Sequence, residues 1–200
     1  MEHNILITLT GPSGSGKSTI EKMLVRNHKF KRAISHTSRE PRMNETNGVD
    51  YYYVGHDIMV RMFNEGKLAE FIEYNGNLYG VSIKELMESQ VIVIEPHGLH
   101  QVKEKMNGYK TIISFYLEVS PKEMEKRMRN RGDTEEAIQK RLKNDSKHFS
   151  IENGLYDYVI NTDNYTPSEI ATIIDDILEG RQPEGFVSAM GTQLKMEGID

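Results

Sequence analysis

The strongest constraint on this chain is a glycine-rich segment near its start, Gly11-Pro12-Ser13-Gly14-Ser15-Gly16-Lys17-Ser18-Thr19, which fits the pattern G-x-x-x-x-G-K-[ST]. A short apolar run over residues 5–9 precedes it, and an amphipathic stretch over 17–27 follows it. Glycines let backbone N–H groups turn inward around phosphates, in conformations that a side chain blocks. A helix that starts after Gly16 directs its positive end at the same anions. The segment, called the phosphate loop below, predicts a strand, an anion-binding turn and a helix.

Two side chains of the phosphate loop carry specific expectations. Lys17 is expected to reach the β and γ phosphates of ATP, and the Ser18 hydroxyl is expected to hold Mg²⁺. The alternative is a plain glycine-rich turn, but a strand before it and a helix after it favour a nucleoside triphosphate site. The loop does not indicate the acceptor. The predicted ATP-binding residues of the loop are Gly11, Ser13, Gly14, Ser15, Gly16, Lys17, Ser18 and Thr19.

Apolar segments that alternate with amphipathic ones extend along most of the chain. The predicted strands are 5–9, 33–36, 68–74, 91–94, 111–119 and 158–160. The predicted helices are 17–27, 57–64, 83–89, 121–130, 134–149 and 167–178, the last with Thr166 as its N-cap. In helix 57–64, Ile58 and Met62 are expected to face inward, with Met59 a further candidate. This alternation predicts an α/β fold with a parallel sheet covered on both faces.

Composition narrows the function classes. The net charge of −5 over 200 residues argues against a nucleic-acid binder, which needs a basic surface. No apolar run is long enough to span a bilayer, so no membrane association is expected. The start of the chain has no basic segment or cleavage site, and there are no cysteines. We therefore expect a cytoplasmic protein, and no protein partner is identifiable.

A second candidate anion site follows residue 34. Arg39 and Arg42 lie three residues apart, and Tyr51 follows in the same polar segment. Two guanidinium groups and a phenol can hold a phosphate monoester dianion. Taken alone, these residues favour the alternative that they are solvated charges on a loop.

At this point the sequence resembles the guanylate kinase family over residues 5–178. The acceptor segment of that family, which contains R-x-P-R followed by E-x-x-G-x-D-Y, is matched by Ser35, Arg39, Pro41, Arg42, Glu45, Gly48, Asp50 and Tyr51. A second family block is similar to residues 70–80, which end in Gly76-Asn77-Leu78-Tyr79-Gly80. The family's lid block is similar to Arg127, Arg131-Gly132 and residues 135–142.

The resemblance implies a P-loop nucleoside-monophosphate kinase fold with a parallel central sheet, an inserted acceptor-binding domain and a helical lid. It implies ATP-dependent phosphorylation of GMP or dGMP with Mg²⁺, so that ATP and GMP or dGMP are the expected partners. The core would comprise 1–34, 91–125 and 151–180, and the GMP-binding insertion 35–90. The lid would comprise 126–150, and 181–200 would form a tail.

The resemblance also implies roles for individual residues. Arg39, Arg42, Tyr51 and Tyr79 would grip the acceptor phosphate. Ser35 would donate to guanine O6, and Glu70 would accept from guanine N1 and N2, since a carboxylate matches two adjacent donors. The residues expected to act on the transferring phosphoryl group are Lys17, Arg127, Arg131 and Arg141. For Arg127 and Arg131, which are four residues apart, an exposed basic stripe is the alternative.

Several positions depart from the family pattern. The family has D-x-D-x-x-G where this chain has Val93-Ile94-Glu95-Pro96-His97-Gly98, so one aspartate is lost and Glu95 keeps a carboxylate for guanine N2 or a water on Mg²⁺. A hydroxyl residue usual after Gly80 is replaced by Val81, with Ser82 one step later. Thr162 takes the place of an asparagine that helps to hold adenine. His97 is expected to be a surface residue.

Two rival functions remain open on the sequence. Val81 and Glu95 are compatible with a kinase for another or modified nucleoside monophosphate, or for a phosphorylated sugar. Val93 is compatible with a catalytically inactive module that binds a protein, although such a module has no physical need for an intact phosphate loop.

Overall fold

The computed structural model describes residues 4–74, 76–149, 151 and 154–181. Of the predicted tail, residues 182–200 lie outside the described residues. The strands are β1 (Ile5–Thr10), β2 (His36–Thr37), β3 (Tyr52–Tyr53), β4 (Leu68–Tyr74), β5 (Asn77–Ser82), β6 (Val91–Val93), β7 (Thr111–Glu118) and β8 (Tyr158–Asn161). The helices are α1 (Lys17–His28), α2 (His56–Asn64), α3 (Ile83–Glu88), α4 (Pro96–Lys105), α5 (Pro121–Arg131), α6 (Glu135–His148) and α7 (Pro167–Leu178).

The predicted parallel sheet is confirmed. Its four strands are arranged in the order β6-β1-β7-β8, and every neighbouring pair is parallel. β1 is therefore an inner strand with a partner on each side, which explains why its sequence is apolar and short. The phosphate loop follows directly from its carboxyl end, where parallel α/β sheets bind ligands.

Both faces of this sheet are covered. On one face Ile7 and Leu9 of β1 pack with Ile20 and Leu24 of α1 and with residues of α7. On the other face Leu6 packs in a second cluster that includes residues of α4. The alternation along β1 fixes α1, and with it the start of the phosphate loop, against the sheet. Among the described residues, no helix is both long and apolar enough to cross a membrane.

A second four-stranded sheet, with the order β3-β2-β5-β4, is formed within residues 36–82. Helix α2 packs on it through Met59, which is fully buried. The prediction for Ile58 is wrong, because its side chain is 46% exposed. The predicted strand 33–36 is also largely wrong, since only His36 belongs to β2, and Ala33 instead donates to the Val91 carbonyl at 2.8 Å.

Helices α5 and α6 form a helical hairpin. The Ser120 and Thr134 hydroxyls cap their N-termini, and Gly132 ends α5 with a left-handed φ of 92°. Met128 and Ile138 are fully buried between the two helices. This small apolar cluster gives the hairpin a core of its own, beside the main sheet.

Candidate active site

The phosphate loop has the backbone geometry that its glycines predict. Gly16 caps α1 at φ 91°, and Gly14 has φ 77°. At Gly11, a Cβ would lie 2.4 Å from the Leu117 carbonyl oxygen. A larger residue at position 11 would push the loop off β7, so glycine is required there by close packing as well as by conformation.

Lys17 lies at the centre of this loop. Its Nζ donates to the carbonyl oxygens of Gly11 at 2.5 Å and Pro12 at 2.8 Å. Burial lowers the pKa of Lys17 to about 8, against the raising effect of the nearby carboxylates of Asp145 and Glu95. A polyphosphate beside this ammonium group would favour its charged form further.

A cavity of about 570 Å³ opens beside Lys17 and is lined by residues from four parts of the chain. Its lining includes residues of the phosphate loop, of both hairpin helices, and of the segment Tyr165-Thr166-Pro167 before α7. The three arginines predicted to act on phosphates all line it: Arg127, Arg131 and Arg141. The structure thus brings together the loop and the arginines, which lie more than 100 residues apart in sequence.

The three arginines differ in how they are held. Arg127 donates to the Gly14 carbonyl at 3.1 Å, and to the hydroxyl and carbonyl of Thr162 at 3.0 and 2.8 Å. Thr162 itself is fully buried, so its hydroxyl contacts Arg127 rather than the cavity. Arg127 therefore fastens α5 to the phosphate loop, and it is half-buried rather than part of an exposed stripe.

Arg131 and Arg141 converge on one carboxylate. Arg131 makes two hydrogen bonds to Asp133, at 3.1 and 2.5 Å, and Arg141 Nη1 lies 3.9 Å from the same side chain. Both arginines remain exposed, so their guanidinium groups are accessible from the cavity. Asp133 holds the two cations near each other despite their mutual repulsion.

One carboxylate from the hairpin touches the phosphate loop. The Ser13 amide donates to Asp145 Oδ2 at 2.6 Å, across 132 positions of sequence. The ring of Phe149, just past the end of α6, lies 5.7 Å from Lys17 Nζ. The C-terminal end of α6 is therefore in direct contact with the loop.

The second candidate anion site is organised by Glu45. The two terminal nitrogens of Arg39 donate to its two carboxylate oxygens at 2.9 and 3.0 Å. The Arg42 amide and the Tyr53 hydroxyl each donate to the same carboxylate at 2.8 Å. These bonds, the pair from Arg39 above all, hold the pKa of Glu45 at about 2. Arg39 is thereby held in one orientation, as a binding group must be.

Aromatic rings enclose Arg39. Its guanidinium carbon lies 5.6 Å from the Tyr51 ring and 5.7 Å from the Tyr53 ring, and Tyr51 contacts Tyr79 edge-on. Arg42 is different, because its side chain is 77% exposed. The four residues predicted to bind the acceptor phosphate therefore lie close together beside the second sheet: Arg39, Arg42, Tyr51 and Tyr79.

Glu70 lies on β4 and is only 7% exposed. Burial, with a smaller effect of the Glu95 carboxylate, raises the pKa of Glu70 to about 7. Its carboxylate rests against Gly98 in the first turn of α4, where a Cβ would lie 2.1 Å from Glu70 Oε1. Glu70 thus lies where the second sheet meets a helix of the main sheet.

The remaining predicted acceptor residues differ from one another in exposure and in hydrogen bonding. Ser35 is half-buried directly before β2. The Ser82 hydroxyl accepts from the Glu85 amide and so caps α3. Glu95 and His97 are exposed at the start of α4, and the Glu95 side chain makes no cap bond there. Glu95 acts electrostatically on both Lys17 and Glu70, so its carboxylate lies near each of them.

Sequence reasoning missed three residues that touch this site. Asp133, Asp145 and Tyr53 were not singled out. Asp133 follows Arg131-Gly132 closely enough that an ion pair could have been expected. Tyr53 and Asp145 carry no local signal, because their partners are found only through the fold.

Comparisons with known proteins agree with these observations. The family model described as guanylate kinase matches residues 3–180. The guanylate kinase of Prochlorococcus marinus subsp. pastoris is 38% identical over 163 residues, which cover 78% of this chain and 87% of that protein. The guanylate kinase of Homo sapiens is 36% identical over 171 residues, which cover 78% and 84%. The crystal structure of the guanylate kinase from Anaplasma phagocytophilum is similar to this chain, with a TM-score of 0.66 and 27% sequence identity over 92% of this chain and 89% of that one.

Proposed function

Because this chain belongs to the guanylate kinase family, we propose that it transfers the terminal phosphoryl group of ATP to GMP or dGMP. The observation that carries the proposal is a cavity beside the phosphate loop that is lined by Lys17 and three arginines. Phosphoryl transfer needs little covalent chemistry from a protein, so positioning and charge stabilisation are its main contributions. This site supplies both.

We assign the roles as follows. The phosphate loop and Lys17 bind the triphosphate, while Arg131 and Arg141 stabilise the charge on the group in transfer. Arg39, Arg42, Tyr51 and Tyr79 hold the phosphate of the acceptor. Glu70 accepts hydrogen bonds from the N1 and N2 donors of guanine, and Glu95 lies near both Lys17 and Glu70. The core, the GMP-binding insertion and the lid keep the boundaries given above.

The residues present fit a magnesium ion. Ser18 lines the cavity beside Lys17, and Glu95 offers a carboxylate that no cap bond occupies. Among the described residues, no cluster of three or more potential metal ligands exists. Mg²⁺ is commonly held by one or two protein oxygens together with waters and substrate phosphates, so a hydroxyl and a carboxylate would be sufficient protein ligands. The ion would neutralise charge between the phosphates.

A cytoplasmic location of the protein remains a prediction.

One observation favours a different acceptor as the second candidate. Val81, which stands where the family has a hydroxyl residue, is fully buried, and the Ser82 hydroxyl is engaged as a helix cap. The base pocket therefore depends on Glu70 more than the family pattern implies. Another monophosphate with adjacent N–H donors would suit that carboxylate as well.

An acceptor panel tests the proposal. Release of ADP from ATP is measured with GMP, dGMP, IMP, AMP and UMP, and kcat/KM is compared. We expect GMP or dGMP to exceed AMP by at least about a hundredfold, because AMP offers no donor pair to Glu70. Equal rates for AMP and GMP, or no rate with any acceptor, would refute the assignment.

The raised pKa of Glu70 predicts a pH effect on acceptor binding. Guanine needs the ionised carboxylate, so the KM for GMP should rise about tenfold between pH 8 and pH 6, as Glu70 is protonated through its pKa of about 7. Steady-state kinetics at saturating ATP measure this. The second ionisation of GMP, near pH 6, contributes as well. Glu70→Gln is the control, since its remaining pH dependence reports the phosphate alone; an identical profile for both enzymes would contradict the role of Glu70.

A further inference from the structure

The most unusual contact of the site is the one between Asp145 and the phosphate loop. A carboxylate oxygen lies 2.6 Å from the Ser13 nitrogen, which is the distance of a short, charge-assisted hydrogen bond. The amides of this loop are the donors that the sequence predicts for phosphate. An anionic side chain of the protein therefore already occupies one of the donors that an anionic ligand would use.

The surroundings of Asp145 strengthen this reading. Its charge also acts on Lys17, the residue expected to bind the β and γ phosphates. Asp145 is half-buried, which limits screening by solvent. It lies one turn after Arg141 on α6, so the helix that brings an arginine to the cavity also brings this carboxylate to the loop.

We propose that Asp145 is an intramolecular competitor of the triphosphate, which holds α6 on the phosphate loop and must leave the Ser13 amide before ATP can bind. This inference rests on the proposed function, because it concerns the same donor site. A carboxylate and a phosphate oxygen cannot both lie within hydrogen-bonding distance of one N–H without strong repulsion. Displacement requires a rotamer change of Asp145 or a shift of α6.

The consequence for affinity follows from the populations of the two states. If only a fraction of the molecules has the amide free, the apparent dissociation constant for ATP is the intrinsic one divided by that fraction. Asp145→Asn keeps the size of the side chain and removes its charge, and Asp145→Ala removes the acceptor as well. Both variants should therefore increase the fraction that is ready to bind.

The experiment is a calorimetric titration of the full chain with MgATP and, separately, with inorganic tripolyphosphate. We expect Asp145→Asn to bind each of them about tenfold more tightly than the wild-type protein, and Asp145→Ala at least as tightly. Tripolyphosphate isolates the phosphate contacts from those of the base. Glu136→Gln is the matched control: it removes the same charge from an exposed position on the same helix and should leave both affinities unchanged.

Three outcomes overturn the inference: unchanged affinity in Asp145→Asn and Asp145→Ala, weaker affinity in either, or a gain for ATP without one for tripolyphosphate. Thermal melting of each variant verifies that it is folded. The wild-type acceptor panel distinguishes failure of the competitor role of Asp145 from failure of the proposed function. If the wild-type protein phosphorylates GMP but Asp145→Asn and Asp145→Ala bind ATP with the wild-type affinity, only the competitor role is lost. A wild-type protein that neither binds nor uses ATP refutes the proposed function itself.

Discussion

Replacement of Lys17 by alanine should lower kcat at least about a thousandfold, which corresponds to roughly 4 kcal/mol of transition-state stabilisation. Lys17 carries the ammonium group of the phosphate loop; its Nζ donates to two loop carbonyls, and the residue lines the cavity. Charge stabilisation is the main contribution of a protein to phosphoryl transfer, and alanine offers none. The measurement is ADP release at saturating ATP and GMP.

The control for Lys17 lies on the same helix. Lys22 is exposed on α1, and Lys22→Ala removes an equal charge away from the cavity. We expect this variant to retain wild-type turnover. A Lys17→Ala enzyme whose kcat is within tenfold of the wild-type value would show that the loop is not the catalytic phosphate site.

Replacement of Arg39 by alanine should lower kcat/KM for the acceptor by about two to three orders of magnitude, mainly by raising KM. Arg39 is the guanidinium group that Glu45 and two tyrosine rings hold in place. The loss should be similar for every monophosphate, because the proposed contact is to phosphate and not to the base. The KM for ATP should remain unchanged, and initial rates with each substrate varied in turn measure both.

Two further variants define the Arg39 result. Arg39→Lys keeps the charge but not the two-pronged geometry, so it should give an intermediate loss. Arg61→Ala removes an exposed arginine from α2 beside the same sheet and should have no effect. After loss of Arg39, Glu45 keeps its bonds from Tyr53 and the Arg42 amide, so the segment should stay folded. An Arg39→Ala enzyme with a wild-type KM for GMP would exclude this site as the phosphate clamp.

Features that depend on local sequence were predicted well. The phosphate loop, the parallel strands and the Thr166 cap follow from glycine spacing, apolar runs and capping chemistry, each of which acts over a few residues. The inward face of α2 was predicted wrongly. Ile58 and Met59 are adjacent, and which of them is buried depends on the sheet that α2 packs against.

Strand β5 and helix α4 were not predicted at all. In β5, Gly80 interrupts the apolar pattern, and a Cβ there would lie 2.4 Å from the Glu70 carbonyl oxygen. Helix α4 starts with Pro96 and Gly98, which suit a turn as much as a helix. The Ser13–Asp145 contact could not be predicted for a different reason: no pattern in the sequence around either residue indicates contact with the other.

The meeting of Glu70 and Gly98 has a consequence for how this protein can diverge. A Cβ at position 98 would lie 2.1 Å from Glu70 Oε1 and 3.0 Å from Ile94 Cγ1, so a substitution there forces the Glu70 carboxylate to move, and a shorter residue at position 70 removes the tighter of these contacts. The two sites are therefore epistatic. Under the role proposed for Glu70, a lineage that changes its base preference through position 70 eases substitution at 98, and a side chain at 98 then opposes the return to glutamate.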